Sequence, residues 1–314
     1  MAEEVYNWSD EEREPEFEGS WERSNRSLTT AAILVFIIVF TIYAYAQGFI
    51  GGIAMALHGF AGTGSQNSHK TLVEVLSARA LSQKDPLRYS VIISQFLFLL
   101  LPTIWIIRRW HTKRILKYVR LRAIPFTEIF FAFLGAILFF PISAAISNFM
   151  MHQIHFPDFL ARIDSLVFAS SSHSELVWVI VIVCVTPAIC EETLFRGYIQ
   201  RTLERTMGAK SLFVAGLLFG LYHMRPLNLI SLSLFGMLIG FFAYRSRSLL
   251  PSMTAHFTYN LIAVLSVYKM VNGESKIPFA SYHIPLYFVL LAAAGTIVVV
   301  LIYRNLTGRN FPPP

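Results

Sequence analysis

Residues 186–198 read TPAICEETLFRGY and place two glutamates and an arginine at the end of an uncharged run that begins at Leu176. Ionisable side chains within a membrane segment are costly and mark a functional site by default. On a helix, Glu192 and Arg196 are four residues apart and can form an ion pair. Glu191 is rotated from Glu192 by about 100° and can face other neighbours. The stretch therefore predicts either a catalytic carboxylate beside a supporting ion pair, or an ion pair with only a structural role.

The composition is that of an integral membrane protein. Of the 314 residues, 55% are hydrophobic and only 14% are charged, with a mean hydropathy of +0.54. A soluble domain of this size carries about 25% charged residues. The two cysteines, Cys184 and Cys190, are six residues apart on different faces of one predicted helix, which argues against a disulfide between them and against a metal site built on cysteine.

Eight apolar stretches are long enough to cross a bilayer as helices, which takes about 20 residues each. The predicted fold is therefore all-α, a polytopic membrane protein of about eight transmembrane helices with a central polar cavity. A tight turn at Met224, Arg225 and Pro226 predicts that the fifth and sixth spans form a hairpin. The predicted spans are 29–50, 89–107, 125–148, 176–199, 210–225, 228–244, 251–269 and 284–303.

Three parts of the chain differ in composition. Residues 1–28 are acidic and predict a disordered cytoplasmic tail, residues 29–306 form the transmembrane domain, and residues 307–314 form a short C-terminal tail. The loop at 108–122 carries seven Lys and Arg and no acid, so the positive-inside rule predicts that both termini face the cytoplasm. This basic run also suits anionic lipid, although topology already accounts for it. We expect no nucleic-acid partner, because no basic folded surface is evident.

Two further polar motifs follow the glutamates. Phe219 and His223 are four residues apart in one span, and His256 and Asn260 are four residues apart in another. This spacing puts both members of each pair on one helical face. A single intramembrane histidine or asparagine is usually a contact between helices worth about 0.6 kcal/mol. Three such motifs in neighbouring spans predict a shared cavity.

The chemistry of these side chains suits hydrolysis of a carbonyl compound. A buried carboxylate can act as a general base toward water, with a nearby histidine sharing the proton or holding the water. A second histidine and an asparagine amide can stabilise the oxyanion. The sequence lacks Gly-x-Ser-x-Gly and His-Glu-x-x-His. Glu191, His223 and His256 could still form a His₂Glu zinc site, and this zinc-dependent variant stays an alternative to the prediction that no metal or other cofactor is needed.

The three motifs resemble those of the CPBP family, the CAAX proteases and bacteriocin-processing enzymes also called the Abi family. Its signatures are Glu-Glu-x-x-x-Arg, Phe-x-x-x-His and His-x-x-x-Asn on successive transmembrane helices. The likeness covers roughly residues 170–265. It implies an eight-helix, metal-independent intramembrane glutamate protease.

The resemblance also implies a role for each motif residue. Glu191 would activate water with the help of His223, and His256 with Asn260 would form the oxyanion hole. The supporting residues would be Glu192, Arg196 and, shaping the pocket, Phe219.

The implied partners are the lipid bilayer and a peptide or protein substrate that enters from the membrane or the cytoplasmic side. In eukaryotic relatives the substrate is a prenylated CAAX protein. Two other classes of function stay open at this point. One is a non-catalytic membrane scaffold or bacteriocin-immunity protein, and the other is a transporter with a buried proton relay, although no internal repeat supports the latter.

Overall fold

The computed structural model describes residues 15–59, 84–154, 167–273 and 284–308, and these residues contain helices and no strand. Eight long helices correspond one to one to the eight predicted spans, and two helices of four residues are added. The helices are α1 (Ser20–Arg23), α2 (Leu28–Gly59), α3 (84–111), α4 (Ile115–Tyr118), α5 (Phe126–Gln153), α6 (173–207), α7 (Ser211–Tyr222), α8 (Leu229–Ser246), α9 (Leu250–Val271) and α10 (Leu286–Leu306).

Within the described ranges, six segments are long and apolar enough to cross a membrane. They are Leu28–Ile50, Leu87–His111, Phe126–Gln153, His173–Tyr222, Pro226–Ser246 and Leu286–Leu306. The fourth is 50 residues long and includes both α6 and α7, and α9 is not among the six although it has 22 residues. The protein is therefore an all-α, multi-pass integral membrane protein. The described residues contain the eight long helices that the sequence predicts. Six segments among them are long and apolar enough to be candidate membrane spans.

Helix α6 forms the centre of the fold. Residues 190–203 are buried without exception, which is typical of a core helix that is covered on all sides. Contacts with α2, α3, α7, α8 and α9 provide this cover. Two π-helical turns, Val181–Val185 and Phe195–Gln200, flank the segment that carries the glutamates. Such turns are rare and often occur at functional sites. Both cysteines are buried and unbonded, as predicted.

Helices α7 and α8 form the predicted hairpin. Helix α7 ends at Tyr222, the backbone turns at Met224 with a positive φ of 49°, and a short 3-10 helix starts at Pro226. The two helices approach closely through glycines: a Cβ on Gly236 would lie 3.0 Å from the Cα of Gly216. This close approach brings the backbone of α8 within reach of α6.

Residues 15–28, which belong to the segment 1–28 predicted to be a disordered tail, are ordered against the helices. The amide of Gly19 donates to the carbonyl of His111 at 2.8 Å, and a Cβ at Gly19 would collide with the backbone of Trp110. Trp21 stacks on Trp110 with ring centroids 4.7 Å apart. Residues 1–14 lie outside the described part of the chain.

A charged cluster holds this N-terminal segment in place. The carboxylate of Glu22 accepts hydrogen bonds from Nδ1 of His111 at 2.6 Å and from the guanidinium of Arg205. Burial alone would raise the pKa of Glu22, but these hydrogen bonds outweigh burial and lower the pKa to about 2. The acidic composition of residues 1–28 predicted disorder, whereas specific aromatic and charged partners on α3 and α6 offset the entropy of ordering.

Candidate active site

The predicted ion pair on α6 is present and fully buried. Nη1 of Arg196 donates to Oε1 of Glu192 at 2.8 Å, and Nη2 donates to the carbonyl of Gly236 on α8 at 2.8 Å. Nδ1 of His256, from α9, lies 2.7 Å from the same Oε1 of Glu192. The Glu192–Arg196 pair therefore joins three helices, α6, α8 and α9, and the four-residue spacing on α6 sets the geometry of the pair.

The side chain of Glu191 points away from this ion pair and has different neighbours. Its Oε1 accepts a hydrogen bond from Nε2 of Gln95 on α3 at 2.7 Å. Its Oε2 is buried and has no hydrogen-bond partner among the residues that the structure describes. Nε2 of His223 and Nε2 of His256 lie 3.9 Å and 4.0 Å from this oxygen. The structure thus brings the first glutamate and both predicted histidines together.

The hydrogen bonds at Nδ1 determine what each histidine presents to Glu191. Nδ1 of His223 lies 2.8 Å from the carbonyl of Phe219, and Nδ1 of His256 lies against the Glu192 carboxylate. Both partners are acceptors, so both Nδ1 atoms carry a proton. In the neutral form of each ring, Nε2 then presents a lone pair to Glu191.

Phe219 links the two histidines to the arginine. Its ring packs edge-on against His223 and His256, with centroids 4.7 Å and 5.6 Å apart. The guanidinium of Arg196 lies 4.5 Å from the centroid of the same ring, within the range of a cation–π contact. Phe219 therefore fixes the orientation of three site residues at once.

The site is least buried at His223. The side chain of His223 is 19% exposed, against 6% for Glu191 and 3% for His256. His223 directly follows the last residue of α7, where the chain turns away. A substrate that reaches Glu191 would therefore pass His223 first.

Asn260 makes a different contact from the one that its predicted role requires. Its amide Nδ2 donates to the carbonyl of Val183 in the first π-helical turn of α6, at 2.8 Å. This bond uses one of the two N–H groups of the amide and leaves the second for another acceptor. The oxyanion-hole role of Asn260 stays a prediction.

Gln95 is the contact of Glu191 that the motifs did not reveal. It lies in the predicted span 89–107, where it is the only side-chain amide. A buried amide in an apolar span is the signal that could have identified it, since such a group needs a partner. The sequence contains no spacing that would pair it with a residue 96 positions away.

Residues 173–262 match the model of the family described as Type II CAAX prenyl endopeptidase Rce1-like. The matched segment covers less than a third of the chain and includes all seven predicted site residues. No curated protein and no solved structure matches the chain.

The chain is thus a multi-pass membrane protein whose helical core carries a buried cluster of glutamate, histidine and arginine. Its segment 173–262 matches the model of the Rce1-like CAAX endopeptidase family, which confirms the resemblance carried by the three motifs. Family and fold together indicate an intramembrane endopeptidase in general.

Proposed function

We propose that the chain is a CAAX-protease-like intramembrane endopeptidase that hydrolyses a peptide bond with water activated by Glu191. The observation that carries this proposal is the unpartnered, buried Oε2 of Glu191, with two histidine Nε2 atoms 3.9 Å and 4.0 Å away. These distances are too long for direct hydrogen bonds. One water molecule spans such a gap.

Glu191 and His223 are suited to activate this water. A water between them donates one hydrogen to Oε2 of Glu191 and the other to the lone pair on Nε2 of His223. Glu191 takes a proton as the water oxygen bonds to the carbonyl carbon of the substrate. When the C–N bond then breaks, the proton on Glu191 passes to the leaving amine. Gln95 holds the other carboxylate oxygen and so fixes the direction of Oε2.

His256 is suited to stabilise the oxyanion. The Glu192 carboxylate at Nδ1 orients the ring so that Nε2 lies 4.0 Å from Oε2 of Glu191, and with a proton on Nε2 the ring can donate to the negative oxygen. Arg196 and Phe219 hold Glu192 and the ring in position. The second N–H of the Asn260 amide is the additional donor in this proposal.

The proposed substrate is a membrane-associated peptide or protein that enters beside His223 from the membrane or the cytoplasmic side. The family description names CAAX prenyl endopeptidases, so a prenylated CAAX sequence is the first candidate. The exposed side of α7 carries large apolar side chains, among them Leu217 and Leu221, which suit a lipid-facing approach.

The test uses the full-length protein in liposomes with a farnesylated CAAX peptide and the same peptide without the prenyl group, each with and without chelator. We expect release of the last three residues of the prenylated peptide, unaffected by chelator, measured by mass spectrometry. Cleavage that stops with chelator would replace the proposed mechanism by the zinc-dependent alternative. Absence of cleavage of both peptides would contradict the CAAX substrate and favour the scaffold.

A further inference from the structure

A second pocket lies between the N-terminal segment and the end of α3, and the proposed protease activity does not use it. Its volume is about 330 Å³. One wall belongs to residues 18–23 of the N-terminal segment, and the other belongs to the last turns of α3 and the residues after it. The lining residues are Glu18, Gly19, Arg23, Trp105, Arg108, Arg109, Thr112 and Lys113.

The pocket is strongly cationic. Four of its lining side chains are basic and one is acidic, which leaves a net charge of +3. Glu18 lies 3.9 Å from Lys113 and can neutralise only part of the set. Within the described residues, neither Arg108 nor Arg109 forms an ion pair. A set of unneutralised arginines around a concave surface suits a phosphate group, which they can bind through several donors.

An apolar track leads from the pocket along the helix. Leu97, Leu101 and Trp105 follow one another at four-residue intervals on α3 and are 50%, 52% and 61% exposed. They belong to the candidate span Leu87–His111, so this exposed face lies against lipid. Tryptophan is typical of the membrane–water boundary. The track therefore ends at the level of the headgroups, where the basic side chains begin.

We propose that this pocket binds the phosphate headgroup of an anionic phospholipid, with an acyl chain along Leu97, Leu101 and Trp105. The juxtaposition of a cationic pocket and a lipid-facing apolar track distinguishes a phospholipid from free phosphate, which has no use for the track. Basic residues near an anionic membrane surface contribute about 1 kcal/mol each. The pocket collects four of them at one point.

Lipid binding at this place is coupled to the N-terminal segment. Glu18, Gly19 and Arg23 form one wall, so the complete pocket exists only while the segment is docked. A ligand that binds only the docked form stabilises that form. Anionic lipid should therefore protect the N-terminal segment against proteolysis, whereas zwitterionic lipid should not.

The experiment is native mass spectrometry of the full-length protein with phosphatidylglycerol, phosphatidylcholine or inorganic phosphate. We expect preferential retention of phosphatidylglycerol, and a loss of affinity on the order of twentyfold in the double variant Arg108→Ala/Arg109→Ala. The matched control is Arg114→Ala/Lys210→Ala, which removes two exposed charges outside the pocket and should retain the lipid. Equal losses in both double variants, or equal retention of the two lipids, would overturn the proposal.

Two single variants separate the pocket from general effects of charge or folding. Glu18→Gln removes the one acid and should increase retention of phosphatidylglycerol, a gain that a destabilised protein would not show. Trp105→Ala removes part of the track and should weaken retention of the lipid. Inorganic phosphate that binds as tightly as the lipid, with no effect of Trp105→Ala on lipid retention, would overturn the assignment to a phospholipid.

Discussion

Two clusters of side chains each contain one glutamate, one histidine and one arginine. One lies in the helical core, and the other lies at the N-terminal segment. We call them the core cluster and the N-terminal cluster. In each, the Oε1 atom of a glutamate lies within hydrogen-bond distance of Nδ1 of a histidine and Nη1 of an arginine. The core cluster is Glu192, Arg196 and His256, and the N-terminal cluster is Glu22, His111 and Arg205.

The clusters differ in what faces the second nitrogen of the histidine. Nε2 of His111 lies 3.2 Å from the hydroxyl of Tyr198 and is satisfied there. Nε2 of His256 lies 4.0 Å from Oε2 of Glu191, which has no partner. The comparison teaches that a Glu–His–Arg set by itself is a structural element. In the proposed mechanism, the core cluster takes part in catalysis because the Glu191 carboxylate lies beside it.

The largest effect on the cleavage rate is expected when the histidine of the core cluster is replaced and the histidine of the N-terminal cluster serves as the control. His256→Asn keeps an N–H close to the position of Nδ1, and so the bond to Glu192, but removes Nε2. We expect cleavage to fall by a factor of about a hundred to ten thousand, the usual contribution of such a group. His111→Asn is the matched control and should keep most of the activity. Rates with the cleaved peptide check both variants, and equal losses would contradict the distinction between the clusters.

The next effect concerns the two arginines. Arg196→Met leaves the fully buried carboxylate of Glu192 without its cation, which costs about 3–5 kcal/mol of unfolding free energy. Arg205→Met removes one of the two partners of Glu22, whose side chain is 12% exposed and keeps its bond to His111, and should cost less, about 1.5 kcal/mol. Unfolding of the purified protein by denaturant measures both free energies. Equal losses of unfolding free energy in the two variants would contradict the claim that deeper burial makes the ion pair of the core cluster more important for stability.

A smaller effect is expected at Gln95, a positioning residue for Glu191. Gln95→Leu removes the donor to Oε1 of Glu191 and should lower kcat by roughly tenfold, about the free energy of one hydrogen bond to a charged group, with little change in KM. Gln200, a second buried glutamine, bonds Glu204 and the carbonyl of Gly240 instead. Gln200→Leu is therefore the control for stability. A loss that appears in KM, or equally in both variants, would argue against positioning.

The smallest effect is a pH dependence of the N-terminal cluster. The pKa of Glu22 is lowered from its ordinary value of 4.5 to about 2, so its carboxylate stabilises the docked segment fully above pH 4.5. This stabilisation is lost as the pH falls from 4.5 toward 2. The stacked pair Trp21 and Trp110 provides a near-ultraviolet circular dichroism signal that should decrease over this range. A Glu22→Gln variant should lack this transition, and an unchanged transition would contradict the assignment to Glu22.

The sequence predicted the parts of the molecule that depend on local spacing. The eight helices follow from apolar length, and the pair of Glu192 with Arg196 follows from a separation of four residues. The turn at Met224 was visible because a proline follows it. The convergence of Glu191 with His223 and His256 was predicted through three motifs on neighbouring helices, each with its polar residues on one face.

The parts that the sequence did not predict depend on contacts between distant positions. Glu22 lies 89 residues from His111 and 183 residues from Arg205, and no local pattern relates them. The bonds of Gln95 to Glu191 and of Asn260 to Val183 depend on how α3, α6 and α9 pack, which periodicity does not determine. The acidic composition of the N-terminal segment also gave no indication that a few of its aromatic residues hold it against the helices.

The most direct test of the central claim compares wild type with Glu191→Gln in the liposome assay, with Glu22→Gln as the matched control. Glutamine keeps the shape of the side chain but cannot take a proton from water. The proposed mechanism predicts no detectable cleavage by Glu191→Gln, with unchanged helical circular dichroism, and near wild-type cleavage by Glu22→Gln. Undiminished turnover by Glu191→Gln would contradict the role of Glu191 as the general base.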